Sequence, residues 1–275
     1  MDQMPFDGVV VTMPNLSSTV LTNTPVSQAQ YATALAPMKG APFQKVKHNF
    51  VMVYAGNDPG VLGDWTIPAQ NAKNLAAAAK DAGFEGIFYD GERYFGGSWD
   101  VPNGCNSTVA ICQAAAFDRG SQVGAGFAAG WPGVTVLSTF GPWISDPRTI
   151  NNVTANYNDV SWANEDHGPF VSGLDVGVNL VDGGELYTER TLSQFQSTSS
   201  WQRTLSPGVS VSHGVFDLGY RGVTMDVTQF GPTITLAKQT SDKYAWVYTE
   251  QHDWWGTGWP ATRVPQTWVD AVRTS

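Results

Sequence analysis

The chain reads as an α/β fold of the TIM-like (β/α)-barrel kind, and three observations point there. Short β-branched runs alternate with longer helix-compatible segments along all 275 residues, the pattern of βα units around a parallel sheet. The runs are apolar at nearly every position, as strands covered on both faces require. No Gly-rich phosphate turn follows an early strand: Val9, Val10 and Val11 lead into Thr12, Met13, Pro14 and Asn15, and neither GxGxxG nor GxxxxGK[ST] occurs anywhere. That sets aside the nucleotide-binding doubly wound folds.

In chain order, strands are expected at 8–12 (Gly-Val-Val-Val-Thr), 49–54 (Asn-Phe-Val-Met-Val-Tyr), 86–90 (Gly-Ile-Phe-Tyr-Asp) and 134–139. Three more follow at 180–185, 209–216 and 244–250. Helices are expected between them at 27–38, 68–82, 109–129, part of 162–178, 191–204, 229–241 and 265–273. The second of these has Pro68 in its first turn, an Ala-rich body and Gly83 as its stop. Seven strands are visible where a closed barrel needs eight. The reading is therefore one domain over residues 1–275 that begins on the second strand of its barrel, lacking the first βα unit.

Composition narrows the partners. Charged residues make up 14% of the chain, with 29 Gly and 11 Trp, so the surface is polar through Ser, Thr, Asn and Gln more than through ions. A net charge of −9, with no run of Lys or Arg to track phosphates, argues against nucleic acid. No stretch approaches the roughly 18 apolar residues of a membrane span, and no secretory signal opens the chain. The sequence reads as soluble and leaves the compartment open, an extracellular or cell-envelope location being favoured if a segment is missing upstream. Cys105 and Cys112 form no metal-ligand pattern, and two idle thiols are expected in preference to a short-loop disulfide. No metal and no cofactor is called for. HExxH and GxSxG are both absent, which removes zincin and serine-hydrolase readings.

Active sites of (β/α) barrels are built where strands end, and there the acids gather. Asp90 and Glu92 close the strand at 86–90, Glu185 closes 180–185, Asp217 follows 209–216 and Glu250 closes 244–250. With only 24 acids in the chain, that concentration exceeds what helix capping alone explains. Cleaving a glycosidic bond takes two carboxyl groups, one protonated and one ionised. Asp90 and Glu92, two residues apart on an extended segment, project to the same side, so Asp90 is placed to tune Glu92 as a general acid. Glu250 is the expected second carboxylate and Glu185 its alternate. A Glu92-to-Glu250 separation of roughly 5–5.5 Å would imply retention and roughly 6.5–9.5 Å inversion.

Aromatic residues accompany the acids: Tyr94 and Trp99 after Glu92, Trp143 after the next strand, and Trp254, Trp255 and Trp259 after Glu250. Sugar rings stack their C–H faces on such groups, so these six, together with His213 and Asp217, are the expected substrate-binding residues. Each ring has a plain packing role as its alternative, and His213 an ordinary core one.

The segment Phe84-Glu85-Gly86-Ile87-Phe88-Tyr89-Asp90-Gly91-Glu92 resembles the fourth-strand motif of chitinase-type glycoside hydrolases, Asp-x-x-Asp-x-Asp-x-Glu, in its last two acids. It departs from the motif at Glu85 and Phe88, so the relay is incomplete. Over a longer span the chain resembles a poorly characterised group of bacterial glycoside-hydrolase-like barrel proteins, through residues 5–8, 48–50, 86–92 and 244–255. The resemblance implies the barrel fold and a carbohydrate-related activity, and with the strand-end acids the leading reading is a glycoside hydrolase acting on a polysaccharide or oligosaccharide. Two other readings stay open: a non-catalytic carbohydrate-binding or virion structural protein on the same scaffold, and a metal-dependent enzyme using Asp90, Glu92, Glu185 and His213, which would need those groups to converge on one ion.

Overall fold

The computed structural model describes residues 3–94, 99, 104–145, 166–220, 223–258 and 262–275. The chain forms two compact units, one of Gly8–Pro42 and Lys47–Val181 and one of Met1–Asp7, Phe43–Val46 and Asp182–Ser275. The fold is α/β, with a parallel sheet of six strands paired in chain order, β1 to β6. Unbroken chain order is the topology of a singly wound (β/α) fold, whereas a doubly wound sheet reverses direction part-way.

The first unit carries β1 (Val10–Val11), α1 (Gln28–Leu35), β2 (Phe50–Tyr54), α2 (Thr66–Asp81), β3 (Gly86–Asp90), α3 (Val109–Gly130), β4 (Thr135–Ser138), α4 (His167–Asp175) and the start of β5 (Asn179–Asp182). Val10 pairs with Phe50, Phe50 with Gly86 and Gly86 with Thr135, so the three ladders share one register and the four strands start level. All five residues of β3 are buried, as a parallel strand with neighbours on both sides and both faces covered should be.

Local chemistry sets the helix ends. Ser27 and Gln30 form a reciprocal capping box at α1, Asp64 accepts from the Thr66 N–H and hydroxyl ahead of α2, and Gly83 stops the segment in the left-handed region at φ +81°. Glycine inside α3 costs helix propensity and is explained by packing. A Cβ at Gly120 would lie 1.9 Å from the Phe170 carbonyl oxygen of α4, and one at Gly130 would lie 2.1 Å from that of Lys73 in α2.

The bond between Cys105 and Cys112 corrects the expectation of idle thiols. Thr108 caps α3, which folds Cys105 back over the first turn where Cys112 stands. Their Cα atoms are 6.0 Å apart, within bridging range.

The second unit holds the last residue of β5, then α5 (Leu192–Leu205), β6 (Ser210–Val211), β7 (His213–Phe216), a hairpin of β8 (Gly219–Tyr220) and β9 (Val223–Thr224), α6 (Val227–Thr240), β10 (Ala245–Tyr248) and α7 (Gln266–Arg273). The single strand expected at 209–216 is two, parted at Ser212. That residue gives its N–H to Asp182 O at 2.7 Å and its hydroxyl to Tyr244 O, so the chain faces β5 first and β10 afterwards. β10 runs parallel to β7 with Ala245 opposite His213. It is only half-buried, unlike the fully covered strand its sequence suggests. Phe195, Val215, Phe230, Trp254 and Trp268 form this unit's core. Among the described residues no helix is long and apolar enough to cross a membrane.

Candidate active site at the end of the third strand

β3 ends on Asp90, whose carbonyl accepts from Ala55 N at 2.8 Å just beyond β2. Its side chain is 8% exposed, and its Oδ1 accepts the Glu92 N–H at 3.0 Å. Burial raises the Asp90 pKa to about 7, and the single backbone donor pulls only weakly the other way. A carboxyl at the strand end is thus half protonated near neutrality.

Gly91 is held on three sides. Its N–H donates to Thr139 Oγ1 at 3.3 Å and its carbonyl accepts from Trp99 Nε1 at 2.8 Å, while a Cβ there would lie 2.0 Å from His167 Nε2. No residue but glycine fits that approach. Glu92 follows, half-buried, and its Oε2 accepts from the Tyr94 hydroxyl. The exposed Tyr94 ring stands edge-on to Tyr54 at 6.3 Å, and Tyr54 in turn meets Thr12 Oγ1 at 3.5 Å through its hydroxyl. Burial raises the Tyr54 pKa, and the charge of Asp90 adds to the rise.

Arg93 turns inward. It pairs with Asp58 at 2.9 Å, the two side chains 5% and 2% exposed, and its guanidinium lies 3.7 Å above the centre of the Trp99 ring. Trp99 stacks on His167 at 5.1 Å with the planes 5° apart. Burial, with the Arg93 charge as a second cause, lowers the His167 pKa to about 3 and keeps that ring neutral.

The two positions that depart from the chitinase-type motif add no acid at this end. Glu85 lies before β3, 3.6 Å from His48 Nδ1, five residues below Asp90 and so roughly 16 Å along the strand. Phe88 is a buried apolar residue of the strand.

Of the expected sugar platforms in this unit, Tyr94 is exposed, while Trp99 and Trp143 are each 2% exposed and serve packing. In the second unit Trp254 is 1% exposed, set edge-on to Phe6 at 5.0 Å and against Phe230. Trp255 is half-buried beside Phe6, and Trp259 lies outside the described residues. His213 is buried and bonds Ser199 at 2.8 Å through Nε2. The Ser199 hydroxyl also lies 2.9 Å from Phe195 O. Burial lowers the His213 pKa to about 4. Among the described residues, the Asp90, Glu92, Glu185 and His213 set of the metal reading forms no ligand cluster. Asp217 is fully buried and accepts from the N–H groups of Glu250, Gln251 and His252, the Thr249 hydroxyl and His252 Nδ1. It organises the turn after β10.

The two other expected catalytic glutamates are held as Glu92 is. Tyr187 donates to Glu185 Oε1 at 2.7 Å and Tyr248 to Glu250 Oε1 at 2.8 Å. A tyrosine two residues from each of the three strand-end glutamates was readable in the sequence, where Tyr94 alone is named, as a sugar platform. Asp58 and His167 were missed because each comes from a different loop or helix than the one that needs it.

No family model matches the chain, and no curated protein does. Solved structures similar to it include a GH18 chitinase from Pseudoalteromonas aurantia, 14% identical with a TM-score of 0.42 over 90% of this chain and 87% of that one. A candidate Chitinase A from Streptomyces coelicolor is likewise 14% identical, with a TM-score of 0.45 over 98% of this chain and 89% of the other.

Proposed function

We propose that the chain is a glycoside hydrolase that cleaves a polysaccharide or oligosaccharide at the end of β3. The observation that carries this reading is the carboxyl pair itself, with Asp90 buried and half protonated near pH 7 and Glu92 two residues on, its carboxylate fixed by a phenol. Glu92 is the general acid, giving its proton to the glycosidic oxygen as the C–O bond breaks. Asp90 tunes it: a neutral Asp90 tolerates either state of its neighbour, while an ionised one disfavours a second charge and keeps the proton on Glu92. Tyr94 offers the sugar an exposed ring face beside the acid.

A second carboxylate must stabilise the developing oxocarbenium charge or activate water. Phe88 in place of a relay acid disfavours attack by a substrate N-acetyl group. Glu250 is the preferred partner, since it is exposed, oriented by Tyr248 and in no ion pair among the described residues. Glu185 is the alternate.

The same Phe88 supports a second reading, a carbohydrate-binding protein that does not cleave. Incubating the purified protein with plant, fungal and bacterial cell-wall glycans and measuring new reducing ends separates the two. Release from at least one glycan is expected. Binding to a glycan with no release from any would overturn the hydrolase in favour of the binder.

A further inference from the structure

We infer that the buried Arg93–Asp58 pair is a positioning device for Glu92, resting on the reading of Glu92 as general acid. Neighbouring side chains leave the backbone in different directions, so anchoring Arg93 inside fixes where Glu92 points. The anchor has two parts. Asp58, in the loop after β2, takes the charge at 2.9 Å, and Trp99 takes the guanidinium face at 3.7 Å. Trp99 is itself bound to the loop it stabilises, through its indole N–H to Gly91 O at 2.8 Å, and is backed by His167 at 5.1 Å. Guanidinium, indole and imidazole thus lie in successive contact beside Gly91, because His167 also closes on the space where a Cβ would stand. Arginine suits the place because only a planar cation both stacks and pairs.

The pair has an electrostatic consequence as well as a geometric one. Asp90, Asp58 and Arg93 all act on the buried Tyr89 hydroxyl, so they share one low-dielectric neighbourhood, which also contains Tyr54 on β2, Glu92 and the neutral His167 on α4. Burial is the cause that holds the proton on Asp90. Removing one member changes the net charge of that neighbourhood by one unit, of opposite sign in the two cases.

Three variants test this: Asp58→Asn, Arg93→Met and the doubly neutral Asp58→Asn/Arg93→Met. The double variant keeps the net charge of the neighbourhood unchanged and serves where a single variant does not fold. Arg93→Lys keeps the charge and loses the planar stack. Two measurements are needed, the Asp90 carboxyl titration by NMR without substrate and kcat with KM on a cleaved glycan. The expected titration midpoint falls in Asp58→Asn, rises in Arg93→Met and returns in the double variant. The expected kcat falls at least tenfold in Arg93→Lys and in the double variant with KM nearly unchanged, since small misplacements of a catalytic group cost on the order of 10²-fold. Unmoved titrations, or full kcat in both Arg93→Lys and the double variant, would overturn the positioning role. If the unmodified protein cleaves nothing, the general-acid reading fails by itself, and the opposed titration shifts decide whether the pair governs this carboxyl site.

Discussion

Asp90 and Asp217 are both buried aspartates just past a strand, and they do opposite things. Asp217 accepts five hydrogen bonds from residues 249–252, three of them from successive backbone N–H groups. A carboxylate so surrounded has exchanged water for protein donors, and its work is to hold the turn after β10 in shape. Asp90 is as well hidden but accepts one backbone N–H from Glu92, so burial dominates and its proton stays on to about pH 7. Burial alone does not mark a functional acid. Burial without a matching set of donors does, because the resulting pKa lies where proton transfer is useful.

The largest effect that sharpens the contrast is on turnover. Glu92→Gln removes the proton that Asp90 is placed to manage and should lower kcat by roughly 10²–10⁴-fold with an unchanged circular dichroism spectrum. Undiminished kcat would take the β3 end out of the chemistry. The next effect is on stability and belongs to the other aspartate. Asp217→Ala strands several buried donors and should lower the unfolding free energy in urea by about 3–5 kcal/mol, and a loss below about 1 kcal/mol would mean that the turn holds itself.

The third prediction concerns pH. Between the ordinary aspartate value of 3.8 and about 7, folded Asp90 keeps a proton that the unfolded chain has released, so its contribution is fully present at low pH and is lost as pH rises through 7. His213 works in the other sense. Its folded pKa of about 4 lies below the usual 6.5, so its contribution is present at neutral pH and is lost as pH falls through that window. Asp90→Asn should therefore lose stability more steeply on acidification from pH 7 to 4 than the parent chain, and His213→Gln less steeply, both read from urea midpoints. Parallel curves for all three would break the assignment. The smallest effect is at Glu250, which is exposed: Glu250→Gln should shift stability by less than about 0.5 kcal/mol while still lowering kcat if it supplies the second carboxylate.

The contrast also shows what the sequence could carry. β3 was legible to the residue, since Gly86 to Asp90 is an apolar run between a helix stop and an acid. α5 and α6 follow from their capping boxes at Thr191 and Asp226. The split of the strand at Ser212 was not legible, because it depends on Asp182 and Tyr244, which lie about thirty residues away on either side. The β8–β9 hairpin was missed because two-residue strands show no periodicity. At the site, Asp90 and Glu92 stood out as strand-end acids, and Asp217 stood out equally for the same reason. Nothing local separates them, since the donors that make Asp217 structural are 32 to 35 residues further on. Trp254 misled in a similar way. Its Gly-rich surroundings suggest a surface loop, but Asp253 collects the N–H groups of Trp255, Gly256, Thr257 and Gly258 and turns the indole into the core.

The most direct test is the carboxyl titration of Asp90 in the unmodified protein, followed by NMR with the Asp90→Asn variant to assign the signal. A midpoint near 7 would show the strand-end proton that the account places beside Glu92. A midpoint near 4 would contradict it, leaving Asp90 an ordinary ionised carboxylate and Glu92 without the neighbour that tunes it.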